Sequence, residues 1–284
     1  MAIKDVLRAI IPKSFWERLR QVRIARSVRK YPRRVGEHIY AGHRFKVLLA
    51  DGIGEGWYGK DWEDLEEINL LASGKLRAGA TVFDLGAHQG VVAMIMSRIV
   101  GPSGRVIAVE GMRHNCDIAE ENLRLNNITN VTVHHAVIAE QDGHIRFFDG
   151  LNGSVAREGV GQLVEAITID TLLQEYGAPD VVFVDVEGFE AIALKGATHT
   201  LCLPCDWFVE VHVGCGLEDY GSSADSILQA FDPKRYEISV WNLNTDQRPQ
   251  PLGLDKEVLK KRFALVAIDQ SYKSDKLKDA STRI

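Results

Sequence analysis

From Thr81 onward the chain alternates short apolar runs with longer amphipathic ones. TVFDLG (81–86), RVIAVE (105–110), VTVHHA (131–136), VVFVDV (181–186) and DWFVEVHV (206–213) are rich in β-branched residues and bounded by turn residues, which predicts strands. VVFVDV is apolar almost throughout, as a parallel strand buried on both faces should be. Val91 to Val100, Arg113 to Asn126 and Phe189 to Thr200 place apolar residues at helical spacing, and the GPSG turn at 101–104 ends the first of them. HIRFFD (144–149) and VEAITI (164–169) predict two further strands. Asp170 is placed to cap a short helix, TLLQEY, that Gly177 stops. A helix from Asp225 to Phe231 precedes the last strands, YEISVW (236–241) and FALVAI (263–268). Upstream, His43 to Ala50 predicts a strand, DGIGEGWYGKDW (51–62) a Gly-rich loop, and Leu65 to Leu76 a helix. Strands alternating with helices imply a doubly wound α/β sheet, whose ligands lie at the carboxyl ends of the strands. That rule singles out Asp84–Gly90, Glu110–Met112, Ala136–Val137, Asp185–Gly188 and Glu210–Gly214.

Composition narrows the class. The 284 residues can bury one large core, and 45% hydrophobic with 26% charged residues is ordinary for a soluble globular chain. A net charge of −5 argues against general nucleic-acid binding. No stretch is long and apolar enough to span a bilayer, and the start does not resemble a secretory signal. Four cysteines are sparse usage that suits a reducing cytosol, so a cytoplasmic location is expected. Charge is uneven: residues 1–34 hold eleven Lys and Arg against Asp5 and Glu17. Leu7, Ile10, Ile11, Phe15, Trp16, Leu19 and Val22 recur there at roughly helical spacing, broken at Pro12. Such a basic amphipathic helix can pack on the acidic remainder of the chain, contact a second subunit of a homo-oligomer, or lie peripherally on an anionic membrane. The expected organisation is a basic extension over 1–40, one domain over 41–272, and a flexible tail over 273–284.

The loop DLGAHQG carries the most chemistry. A dinucleotide fingerprint, G-x-G-x-x-G, would need glycines at 88 and 91, where the chain has His88 and Val91. Asp84 would also repel a pyrophosphate. A carboxylate there suits a ligand with a cationic end, and Glu110, ending the next strand, suits the two hydroxyls of a ribose. A ligand with a ribose, a cationic amino-acid tail and no phosphate is S-adenosylmethionine.

With those residues in view, the chain resembles the FkbM family of S-adenosylmethionine-dependent methyltransferases. The resemblance runs from about Glu63 to His212 and is carried by VFDLGAHQG, GPSGRVIAVEGMRHNCDIAEENLRLNNITNVTVHHAVIAEQDG, ITIDTLL, PDVVFVDVEGFEAIALKGATHTL and FVEVH. The chain departs from the family pattern at His88-Gln89, usually Asn-Ile, and at Gly111, usually proline. The resemblance implies a class I methyltransferase fold: a Rossmann-like, seven-stranded sheet with its last strand antiparallel. It places the methionine end of the cofactor near Asp84, Gly86, Ala87 and Gly90, the ribose on Glu110, and the adenine between Gly111–Met112 and Ala136–Val137. It also puts an acidic residue near the methionine moiety, at Glu63, with Glu66 as its rival. Asp185 would touch both the cofactor and the reaction.

Methyl transfer to oxygen needs the acceptor aligned with the methyl group and its proton removed. FVDVEGFE supplies Asp185, Glu187 and Glu190, and alternation puts Glu210 and His212 on one face of their strand. His212 or Asp185 is the expected base, with Glu187 orienting a partner or the acceptor. Helix capping by Asp185, or a dipole role for Glu187 and Glu190, would equally account for these residues. Cys202, Cys205, Cys215 and His212 lack paired zinc spacing, and Asp185 with Glu187 alone does not establish a divalent cation, so no metal is assigned. The polar insert DGLNGSVAREGVGQ (149–162) offers Asn152, Ser154 and Arg157 to a sugar or other polyol. The expected activity is O-methylation of a sugar, glycolipid or secondary metabolite. The rivals are a cofactor-binding protein that catalyses nothing, and a nicotinamide-dependent oxidoreductase.

Overall fold

The computed structural model describes residues 30–148, 154–155, 161–243, 245 and 248–271, with Arg23 and residues 26–28. Most of the basic segment, the tail over 273–284, and Asn152 and Arg157 of the insert lie outside the described residues. Arg34–Tyr40, grouped by sequence with the extension, instead form a strand, β1, paired antiparallel with β2 (His43–Leu49). The turn between them uses Ala41 and Gly42, both at positive φ.

DGIGEGWYGKDW is not a loop. Gly52–Tyr58 form a helix, α1, because the Asp51 carboxylate accepts from the backbone N–H of Ile53 and Gly54 and so satisfies donors that a helix start leaves free. Glu66–Ser73 form α2. The alternating region then follows: β3 (Thr81–Leu85), α3 (Val91–Val100), β4 (Arg105–Glu110), α4 (Arg113–Leu125), β5 (Val131–His135) and the short β6 (Val137–Ile138). β7 (Gly143–Phe148), β8 (Ser154–Val155) and β9 (Gln162–Ile167) join β6 in a separate four-stranded sheet. Next come α5 (Ile169–Tyr176), β10 (Val181–Val184), α6 (Glu190–Lys195), β11 (Asp206–Val211), α7 (Ala224–Leu228), β12 (Tyr236–Asn242), β13 (Gln250–Pro251) and β14 (Phe263–Asp269).

The central sheet runs β13-β12-β14-β11-β10-β3-β4-β5. The strands from β5 through β11 are parallel, and β14, the last strand, lies antiparallel between β11 and β12. Seven strands have the expected arrangement, and the two-residue β13 adds an eighth at the edge. Side-chain alternation splits the core into two layers. Phe83, Leu85, Val182, Val184 and Trp207 pack with residues of α5 and α6, while Val82, Val106, Phe183 and Phe208 pack with α2 and α3.

Asp170 does not cap α5. Thr168 does, accepting from Thr171 N–H, and the Asp170 carboxylate instead accepts from the N–H groups of His199 and Thr200. The predicted helix from Phe189 stops at Lys195 and resumes as a 3₁₀ turn, Thr200–Cys202. No helix among the described residues is long and apolar enough to cross a membrane.

Candidate active site

The carboxyl ends of β3, β4, β10 and β11 open into one cleft with two arms. The first, with about 620 Å³ of empty space, is lined by Glu110, Gly111, Ala136, Val137, Phe147 and Val155. The second is wider and more open, about 1330 Å³, and is lined by Glu67, Asp84, Ala87, Phe183, Phe208, Glu210 and Arg262. Trp57, Gly86, His88, Asp185 and Glu187 line both and mark the junction.

The loop after β3 is shaped by what its glycines lack. Gly86 has φ +90°, and a Cβ there would lie 1.7 Å from the Asp185 carbonyl oxygen. Gly90, at φ +78°, starts α3 in a left-handed conformation, and its Cβ would press on Ala119. Between them, the N–H groups of Gly86 and Ala87 both donate to the Val109 carbonyl, which ties the loop to β4. His88 has φ +48° although it is not glycine, a sparsely populated conformation held by its surroundings.

Two of the three positions that depart from the family pattern, His88 and Gln89, fasten this loop to α1 and its cap. His88 Nδ1 lies 2.8 Å from the Tyr58 hydroxyl, and its ring sits 5.0 Å from that of Trp57. Burial pushes the His88 imidazole down to about 4, so it is neutral at physiological pH. Gln89 Nε2 donates to Asp51 Oδ2 at 2.7 Å, and the same oxygen is 3.0 Å from His114 Nε2. Gly54 makes room for this contact, since a Cβ would lie 2.4 Å from Gln89 Oε1. The buried Asn122 of α4 completes the frame, donating to the Gln89 carbonyl and accepting from Leu48 N–H in β2.

Two carboxylates face the cleft from neighbouring strand ends. Glu110 accepts from His88 N–H at 2.9 Å and from Met112 N–H at 2.7 Å, yet burial pushes its carboxyl up to about 7. Asp84 is also fully buried, and its Oδ2 has no hydrogen-bond partner. Burial first, and the Glu110 charge second, push it up to about 7. A buried carboxylate oxygen without a donor is costly alone and suited to a cationic ligand. Gly111 lies where a Cβ would meet Phe147 and Val137, so a larger residue would crowd the first arm.

Glu63 is exposed and lines neither arm, and Glu66 pairs with Arg248. Glu67, one position beyond that rival, lines the second arm, and burial pushes it up to about 7.

The remaining predicted residues converge at the junction. His212 is 1% exposed; its Nδ1 lies 2.8 Å from Glu190 Oε1, and its Nε2 lies 3.3 Å from Glu187 Oε2, 3.5 Å from Glu210 Oε1 and 3.8 Å from Asp185 Oδ1. Burial would lower the imidazolium, but the Glu190 hydrogen bond and the Glu190, Asp185 and Glu187 charges outweigh it and push it up to about 9. Asp185 is raised well above the usual carboxylate range, by burial and then by Glu210 and Glu187. Glu210 is paired with Arg262 from β14's leading turn, which offsets part of its own burial cost. Asp185 does not cap α6, whose N-cap, Phe189, makes no side-chain bond; Glu190 instead accepts from Gly188 N–H. Glu187 has φ +52°, a second strained non-glycine in the cleft wall. Of the cysteines, Cys205 is buried while Cys202 and Cys215 are exposed, and all are free.

Sequence reasoning misses Trp57, Phe147, Glu67 and Arg262. The Asp51 cap followed by Trp57-Tyr58 is the one local signal that could have revealed α1. Ser154 lies in β8, which pairs with β7, while Asn152 and Arg157 remain outside the described residues.

A model of the methyltransferase FkbM domain matches residues 84–237. Among curated proteins, a protein-L-isoaspartate O-methyltransferase of Methanococcoides burtonii is 34% identical over 61 residues, which is 22% of this chain and 30% of that relative. The enzyme of the same description from Thermotoga maritima is 41% identical over 56 residues, 20% of this chain and 18% of the relative. The chain thus spans less than a third of the curated relatives it matches. Among solved structures, a methyltransferase FkbM from Methylobacillus flagellatus is similar at 21% identity and TM-score 0.46, over 66% of this chain and 43% of that one. A SAM-dependent O-methyltransferase from Thermotoga maritima is similar at 15% identity and TM-score 0.45, over 85% and 79%.

Proposed function

Because the chain belongs to the FkbM family of S-adenosylmethionine-dependent methyltransferases, we propose that it transfers the methyl group of that cofactor to a hydroxyl of a sugar, glycolipid or secondary metabolite. The donor takes the first arm, with its ribose on Glu110 and its adenine beside Gly111 and Val137, and its ammonium reaches past the Gly86 junction to Asp84 at the near end of the second arm. The acceptor takes the second arm, between Trp57 and the stacked rings of Phe183 and Phe208, whose centroids are 4.0 Å apart.

One observation carries this reading: the Asp185 backbone rests directly on Gly86, so the donor loop and the acid cluster meet with no side chain between them. A methyl group held over Gly86 is then within reach of an oxygen held by Asp185 and Glu187. In the reaction the hydroxyl proton passes to the Asp185 carboxylate. The oxygen lone pair forms the new O–C bond, and the C–S bond breaks with its electrons on sulfur, leaving the neutral thioether of S-adenosylhomocysteine. Glu187 orients the hydroxyl, and His212, held by Glu190, stands behind both acids. A positioned base of this kind typically contributes about 10²–10⁴ in rate.

The curated relatives are named as O-methyltransferases of protein L-isoaspartate. An anionic acceptor is disfavoured here, because Asp185, Glu187, Glu190 and Glu210 would repel a second anion. A neutral hydroxyl meets no such barrier.

The test is a panel of hydroxyl, carboxyl and amine acceptors, read out as S-adenosylhomocysteine formed. Turnover with polyols, sugars or glycolipids is expected. Turnover confined to carboxyl or amine acceptors overturns the acceptor assignment, and cofactor binding without any turnover favours a binding protein.

A further inference from the structure

Asp185, Glu187 and His212 present one ligand atom each, all within 4.8 Å of one another. No other trio of His, Cys, Asp or Glu among the described residues gathers its ligand atoms so closely. In the sequence, Asp185 and Glu187 stand as two carboxylates without a third ligand. Folding supplies it from the end of β11, about one strand spacing away in the sheet.

The state of His212 is the independent observation. Its side chain is almost wholly buried, and its Nε2 makes no hydrogen bond although it points into the trio. The opposite nitrogen explains why. Nδ1 lies 2.8 Å from Glu190 Oε1, an oxygen that also accepts from Gly188 N–H, so Glu190 is the acceptor and Nδ1 carries the proton. A cation binding here would displace the Nε2 proton, and the Nε2 lone pair then faces Asp185 and Glu187. A buried carboxylate fixing the far nitrogen of an imidazole is the arrangement that orients histidine ligands on metals. Asp185 Oδ1 is likewise buried and without a hydrogen-bond partner. Glu210, the third acid near Nε2, is engaged by Arg262 and so does not compete.

The separations suit a single ion. Ligands about 2.1 Å from a divalent cation stand about 3 Å apart when adjacent and about 4.2 Å apart when opposite. Nε2 is 3.3 Å from Glu187 Oε2 and 3.8 Å from Asp185 Oδ1, so small movements would bring all three onto one centre. We propose that Asp185, Glu187 and His212 bind a divalent cation, with Glu190 positioning the histidine. One imidazole and two carboxylates suit Mn²⁺, with Mg²⁺ as a weaker occupant, better than a thiolate-seeking ion. The inference rests on the methyl-transfer reading only for its purpose: a cation here would take the acceptor oxygen and make its hydroxyl more acidic.

The experiment titrates Mn²⁺ into chelator-treated full-length protein, following free Mn²⁺ by electron paramagnetic resonance. Parallel calorimetry measures S-adenosylmethionine binding, and thermal scans report folding. One saturable site is expected in the parent. Glu187→Gln, at a half-buried ligand, should lose the site while keeping the melting temperature. Glu190→Gln should weaken it by about 10–100-fold through His212 alone. If the folded parent binds the cofactor but no Mn²⁺ up to millimolar concentration, the trio is an internal ion pair and the metal proposal falls, while the methyl-donor reading stands. Mn²⁺ binding without cofactor binding would instead keep the cation site and overturn the methyl-donor reading. Binding that survives Glu187→Gln unchanged places the ion elsewhere and also overturns the proposal.

Discussion

The two arms of the cleft hold their acids in different ways. Glu110 is held by main chain: the N–H groups of His88 and Met112 reach its two oxygens from the loop after β3 and the start of α4. Glu210 is held by a side chain, Arg262, that arrives from a distant part of the chain. Main-chain donors stay in place as long as the strands do, whatever side chains surround them. A side-chain partnership exists only while both residues survive. The first arm is therefore built to recognise one constant ligand, and the second is built from parts that can be exchanged one at a time.

Asp84→Asn is the strongest way to sharpen the contrast. Cofactor affinity should fall by about 2–3 kcal/mol, on the order of 100-fold, because a charge partner of the ammonium is lost. Stability should hold or rise, since a buried and partly unsatisfied carboxylate leaves the free protein. Calorimetry and a thermal scan read the two effects. Equal loss of fold and affinity would make Asp84 a structural residue.

The next effect comes from pH. Asp84 and Glu110 are both pushed up to about 7 by burial, above their values in an unfolded chain. The folded protein therefore binds more protons than the unfolded chain between about pH 4 and 7, and unliganded stability should decline as pH rises through that window. A cationic ligand prefers the ionised acids, so binding releases protons and affinity should strengthen from pH 6 to 8. The slope should be no more than about tenfold per unit for each acid below pH 7. Calorimetry in buffers of different ionisation enthalpy would detect the released protons. A flat affinity profile would mean that neither acid meets the positive end of the ligand.

The smallest effect tests the independence of the arms. Arg262→Lys keeps the charge beside Glu210 but loses the planar fork. It should lower kcat/KM for the acceptor by about threefold and leave cofactor affinity unchanged. If both fall together, the arms are energetically one site.

The same contrast explains how much could be read before folding. The donor arm is legible because its signal is contiguous: a strand, a carboxylate and a run of small residues within DLGAHQG, then Glu110 one βαβ unit later. The parallel order follows from the local alternation of strands and helices, and the antiparallel last strand from the resemblance alone. α1 is hidden because Gly52, Gly54 and Gly56 look like a loop, and only the Gln89 side chain reveals why position 54 must be small. The choice among Glu63, Glu66 and Glu67 depends on where α2 begins and how it is turned, which a run of acids cannot disclose. Glu190 reads as an ordinary acid at a helix start until the fold sets His212 against it, and Arg262 reaches Glu210 across 52 positions of sequence.

The contact between Gly86 and Asp185 has a consequence for how such a chain can diversify. In the proposed arrangement, the closest approach of methyl donor and acceptor would be gauged by two stretches of backbone touching, not by any replaceable side chain. Residues lining the second arm, such as Trp57 and Leu243, can be exchanged to admit acceptors of other shapes without altering that gauge. New substrates can be tried while the reacting distance is inherited unchanged.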